Sequence, residues 1–98
     1  MILVRKDGSK ISINGHALYD DYGKDIVCSS VSSIVITTIN GILAINEKAI
    51  SYKTKKDGLE IEIKNFDDIT MKLINNMLDL LKELSSQYPK NIQIKEGV

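Results

Sequence analysis

The sequence predicts an α+β fold of two layers: one mainly antiparallel sheet with two helices packed on one face, in the order ββαββαβ. Three observations carry this expectation. Leu59, Ile61 and Ile63 alternate with Glu60, Glu62 and Lys64, and Ile11 and Ile13 alternate with Lys10, Ser12 and Asn14, which is the period of half-buried strands. Two longer stretches, 26–45 and 67–84, repeat apolar residues at helical spacing. Lys-Asp-Gly turns at Lys6–Gly8 and Lys56–Gly58 separate the short runs into hairpins. Alternating hairpins and amphipathic helices bury their apolar sides most simply as helices on one face of a sheet.

Each element has its own justification. Ile2–Arg5 is short and apolar, and the Lys6-Asp7-Gly8-Ser9 turn joins it to the strand 10–14. The stretch 15–24 holds two glycines, two consecutive aspartates and two tyrosines without helical period, and reads as a loop. Residues 26–45 carry two conflicting signals. Val27, Val31, Ile34, Val35, Thr38, Ile42 and Ile45 fit helical spacing, whereas Ser33–Ile39 is β-branched and favours a strand on propensity. Length decides for a buried helix, because strands rarely run to about twenty residues, and Asp25 suits its N-cap. Gly41 either allows close packing inside this helix or marks its end. Lys48–Thr54 is a weaker strand. Asp67 and Asp68 open the second helix, with acids at its positive end, and Leu73, Ile74, Met77, Leu78, Leu80, Leu81 and Leu84 form its core stripe. Pro89 follows its end, and Ile92 and Ile94 make a last short strand. The phrase Lys-Asp-Gly-x-x-Ile-x-Ile occurs at Lys6–Ile13 and at Lys56–Ile63, either as a duplication or because two hairpins use similar turn residues.

The 98 residues are expected to form one domain, 1–98, around one core, and an apolar share of 43% excludes a disordered tail. Thirteen basic and 13 acidic residues give no excess of positive charge, which argues against a nucleic-acid module. No unbroken apolar run of about 18 residues is visible, so no membrane span is expected. Met1–Arg5 does not begin a signal peptide. A single cysteine closes no internal disulfide, and the chain is expected to be cytoplasmic and reduced. No metal or cofactor is expected. One His and one Cys cannot supply the four ligands of a structural zinc, no second Cys makes a redox pair, and no glycine-rich phosphate loop occurs.

Chemistry therefore concentrates on His16 and Cys28, the one histidine and the one cysteine of the chain. His16 follows the second strand. With Asp25 as N-cap, Cys28 takes the third helical position. The thiolate is the nucleophilic form, and an ordinary thiol is only about 3% ionised at pH 7. Free amides at a helix start and a nearby imidazolium both favour it. The 15–24 loop is long enough to fold back and bring His16 beside Cys28. The pair would then work as nucleophile and general acid/base, with free amides near Cys28 holding an oxyanion. The plain alternative is an inert buried cysteine and a surface histidine.

Gly15-His16-Ala17, a short loop, then Gly23-Lys24-Asp25-Ile26-Val27-Cys28 and Val31-Ser32 resemble the signature of the ribosomal-processing cysteine protease (Prp) family. The likeness runs from Gly15 to Val31, and chain length, element order, Tyr88-Pro89 and the closing Ile-rich strand agree with it. The resemblance implies a His16–Cys28 catalytic dyad, with Asp25 and Ser32 in the places of the family's flanking Asp and Ser. It implies an endopeptidase that trims the N-terminal extension of a bacterial large-subunit ribosomal protein after an aromatic residue, working as a homodimer. Ser29 stands where the family usually has Ala, one small residue for another.

Asp25 has two readings: it caps the helix, or it also orients His16 as a third catalytic member. Its charge opposes a thiolate at Cys28, so in the second role it helps by geometry. Ser32, one turn past Cys28, either hydrogen-bonds near the dyad or faces the first hairpin. Tyr19, Asp20, Asp21, Tyr22 and Gly23 form a candidate substrate-binding loop, with rings for an aromatic side chain and acids for a basic tail; the alternative is a solvated loop. Gly15 and Gly23 bracket it as hinges. The expectation is a cysteine endopeptidase with a ribosomal peptide as substrate and no nucleic-acid or membrane partner. Its rivals are a non-catalytic ribosome-associated module of the same fold and a redox-sensing thiol protein.

Overall fold

The computed structural model describes residues 1–16, 18, 20 and 25–97. The elements are β1 (Ile2–Asp7), β2 (Lys10–Asn14), α1 (Ile26–Ile45), β3 (Ile50–Lys55), β4 (Gly58–Ile63), α2 (Asp68–Gln87) and β5 (Ile92–Glu96), the expected order. The five strands form one sheet in the order β3-β4-β2-β1-β5. Three neighbouring pairs are antiparallel and β1–β5 is parallel, with α2 as the crossover that carries the chain from β4 to the far edge.

Alternation decides which face is buried. Ile2 and Val4, Ile11 and Ile13, and Ile61 and Ile63 all turn inward with Ile92. The register pairs Val4 with Ile13, Ile11 with Ile61 and Ile2 with Ile92, so the buried residues line up in rows across the strands. Val27, Val31, Val35, Ile39 and Ile42 of α1, with Ile74, Met77, Leu78 and Leu81 of α2, close over that face. Each such side chain contributes about 1.5–3 kcal/mol on burial. The expected α2 stripe is one residue too wide, since Leu80 is exposed.

The conflict over residues 26–45 resolves as helix for a packing reason. Val27, Val31, Val35 and Ile39 recur every fourth residue and share one side only in a helix. A strand would divide Ser33–Ile39 between two faces, whereas this layer offers only one to bury. Gly41 lies inside α1, and nothing stands within 4 Å of the Cβ it lacks, so neither expectation for it holds. Over its 20 residues α1 is long and apolar enough to cross a membrane by length and composition, because its serines and threonines dilute the run without breaking it. Here its apolar side lies against the protein's own core.

The repeated Lys-Asp-Gly phrase does not mark equivalent geometry. In the first hairpin Asp7 pairs with Lys10, so Gly8 and Ser9 are the turn. In the second Lys55 pairs with Gly58, so Lys56 and Asp57 are the turn. The two-residue shift keeps the isoleucines on the buried face and moves Asp57 to the tip. The phrase therefore places its turn at different residues in the two hairpins.

Candidate active site

One end of the sheet gathers the polar residues that matter. There β2 ends and β4 begins, with Asn14 paired to Gly58. The Gly15 N–H donates to the Asp57 carbonyl at 2.8 Å, and the Ile2 N–H donates to the Asn91 carbonyl at 2.8 Å. Two glycines permit this crowding. Gly15 has φ +97, and a Cβ there would strike the Met1 carbonyl oxygen. A Cβ on Gly58 would run into the Ile13 carbonyl oxygen and lie 2.6 Å from Asn14 Oδ1. The β3–β4 turn is thus held against the end of β2. His16, one residue past Gly15, stands with Nε2 3.4 Å from Asp57 Oδ1; both side chains are more than half exposed, at 59% and 63%.

The start of α1 reaches the same end. Ile26 and Ser29 face Leu84 and Gln87 at the close of α2 across a groove of about 600 Å³, and the chain then passes through Tyr88 and Asn91 into β5. Asp25 is the N-cap, buried at 7% exposure, and its Oδ1 accepts from the Val27 and Cys28 amides, each at 3.0 Å. Its Oδ2 lies 3.5 Å from the Asp20 amide, which ties the preceding loop to the helix. This corrects the oxyanion expectation. The Val27 and Cys28 amides are taken by the capping carboxylate, and the Ser29 amide bonds the Asp25 carbonyl.

Cys28 is half-buried and packs against the core. At about 100° per residue it falls on the same side of α1 as Val31, Val35 and Ile42. The Ile26–Ser29 groove is therefore on the opposite side of the helix and does not contain the thiol. The Ser29 hydroxyl donates to the Asp25 carbonyl at 3.1 Å, so it is tied to the helix backbone. Ser32 is exposed on α1, one turn past Cys28. Asp20 is exposed, and Tyr19, Asp21, Tyr22 and Gly23 lie outside the described residues. Among the described residues no three His, Cys, Asp or Glu side chains cluster to hold a metal ion. Asp57 was legible in the sequence only as a turn residue. Its place beside His16 follows from the β2–β4 pairing, which no local pattern encodes.

The comparisons with known proteins point one way. A family model described as cysteine protease Prp matches residues 2–93. The ribosomal processing cysteine protease Prp of Staphylococcus aureus is 26% identical over 95% of this chain and 92% of its own length. A crystal structure of that essential protease, in complex with a covalently linked product peptide, superposes with a TM-score of 0.91 at 22% identity, covering 99% of this chain and 100% of the other. SMU.848 from Streptococcus mutans has the same fold, with a TM-score of 0.78 at 20% identity over 97% of this chain and 90% of the other. With the match running almost the length of the sheet and both helices, the chain belongs to the cysteine protease Prp family.

Proposed function

We propose that this protease removes the N-terminal extension of a bacterial large-subunit ribosomal protein, with Cys28 as nucleophile and His16 as general acid/base. The observation that supports the reading is that the one histidine and the one cysteine of a Prp family member lie just past the end of β2 and in the first turn of α1. The Cys28 sulfur attacks the scissile carbonyl carbon, and the carbonyl electron pair moves to oxygen. As that pair returns, the C–N bond breaks and His16 gives its proton to the leaving amine. A water, deprotonated by His16, then opens the thioester and frees the new carboxylate. While Asp25 caps α1, the developing oxyanion is not held by the Val27 and Cys28 amides.

The protein acts in the cytoplasm and as a homodimer in this reading. The test is cleavage of a peptide spanning the N-terminal extension of the organism's own ribosomal protein. Wild type should cut it, and Cys28→Ala and His16→Ala should not. A peptide that binds wild type and stays whole would sink the protease assignment for this substrate.

A further inference from the structure

We propose that Asp57 is a positioning residue for His16: its carboxylate holds the imidazole at the end of β2 and gives the imidazolium a counter-charge during turnover. The inference rests on the His16–Cys28 reading above and adds a third residue to it. Among the described residues, two carboxylates compete for this role. Asp25 is committed elsewhere, because its Oδ1 is bonded to two helix amides and its Oδ2 faces the Asp20 amide. Asp57 is the one beside the ring, with Oδ1 3.4 Å from Nε2.

The placement is built, not incidental. The Asp57 carbonyl accepts from the Gly15 amide at 2.8 Å, one residue before His16. Gly58 cannot carry a side chain without displacing β2, so the turn has one position. Backbone contacts at Asp57 and Gly58 therefore hold the Asp57 backbone beside the residue before His16. With Nε2 turned to Asp57, Nδ1 is the nitrogen left to exchange a proton with the thiol or the leaving amine. A carboxylate behind an imidazole sets its tautomer and steadies its charged form. Other charged groups on the elements that meet here are Lys56 in the turn, Lys55, whose ammonium is bonded to Glu60, and Asp20 and Asp25 at the helix start.

The experiment is the pH dependence of kcat/KM on the ribosomal peptide, with iodoacetamide labelling of Cys28 at pH 6.5, for D57N, D57E, H16A and the H16A/D57N double variant. K56A serves as a control for the turn. An exposed pair of this kind is a modest effect, so D57N should lose about two- to five-fold in kcat/KM, through kcat more than KM. D57E should recover part of the loss, K56A should match wild type, and D57N should change nothing in the H16A background. A D57N profile superimposable on wild type, or an equal loss with and without His16, overturns the proposal and leaves the dyad standing. An H16A variant labelled and turning over like wild type overturns the dyad and Asp57's role together.

Discussion

Removing the Asp25 side chain tests the helix start from which Cys28 is presented. Asp25→Ala deletes the acceptor of two amides at 3.0 Å, and one of them belongs to Val27, which is 0% exposed. Loss of an N-cap acceptor costs about 0.5–2 kcal/mol, and a buried amide left without a partner costs about 1–3 kcal/mol. These overlap, because the same amides are involved, so we expect a loss of about 2 kcal/mol. For a domain of this size that lowers Tm by about 8–16 °C. Asn accepts the same bonds, so Asp25→Asn should stay within about 1 kcal/mol of wild type, the remainder being the lost charge–dipole interaction. The assay is thermal and urea unfolding at pH 7, run beside peptide cleavage. Asp25→Ala within about 0.5 kcal/mol of wild type would refute the capping argument. A stable Asp25→Asn without turnover would show instead that the carboxylate itself orients His16, and would take that role from Asp57.

Other substitutions have definite expected outcomes. Gly41→Ala should raise stability by about 0.5–1 kcal/mol by urea unfolding, since the site is mid-helix, exposed and open around the missing Cβ. Gly58→Ala should lower it by about 1–3 kcal/mol and reduce cleavage as well, because the new Cβ pushes the turn off β2 and carries Asp57 from His16. Hydrogen bonding by Lys55 holds the Glu60 carboxyl below its ordinary 4.5, so its contribution is present above that value and lost as pH falls through the lowered one. The stability difference between wild type and Glu60→Gln should therefore shrink as the pH falls through that lowered value. Hydrogen bonding to Glu96 holds the Lys82 ammonium above its ordinary 10.5, so that contribution is present below 10.5 and fades as pH rises past the raised value; a Lys82→Gln comparison across that range checks it.

What the sequence made legible follows from how local each signal is. β4 was plain because Leu59, Ile61 and Ile63 alternate on their own, whatever they pair with. The α1 helix was legible only by weighing period against propensity. The strand-like Ser33–Ile39 yields because every fourth apolar residue meets one shared core. Asp25 as a cap was readable, since an Asp before an apolar run is a local signature, and the structure agrees. What the cap does to the site was not, because its Oδ1 reaches two amides together and one of them is the Cys28 amide. The Asp57–His16 contact joins residues distant in sequence through the β2–β4 register, and the turn phrase even suggested a false equivalence with Asp7. Leu80 belongs to the helical stripe by spacing but falls at its solvent edge, a matter of how far the layer below extends.

The cap also alters the argument for why this cysteine would react. Sequence reasoning gave Cys28 two sources of thiolate stabilisation, the open helix amides and a neighbouring imidazolium. In the structure the first is largely consumed, because an anionic carboxylate occupies the Val27 and Cys28 amides and brings a negative charge near the thiol. A helix start neutralised in this way favours an anion less than an open one does. On the proposed dyad, activation then depends mainly on His16, and the two variants should separate at pH 6.5. His16→Ala should slow iodoacetamide labelling of Cys28 by roughly ten-fold or more, as the imidazolium is lost. Asp25→Asn, which keeps the cap and removes the charge, should label as fast as wild type or faster. Slower labelling in a folded Asp25→Asn protein would reverse the conclusion: the amides held in line by Asp25, and not His16, would then be what stabilises the thiolate.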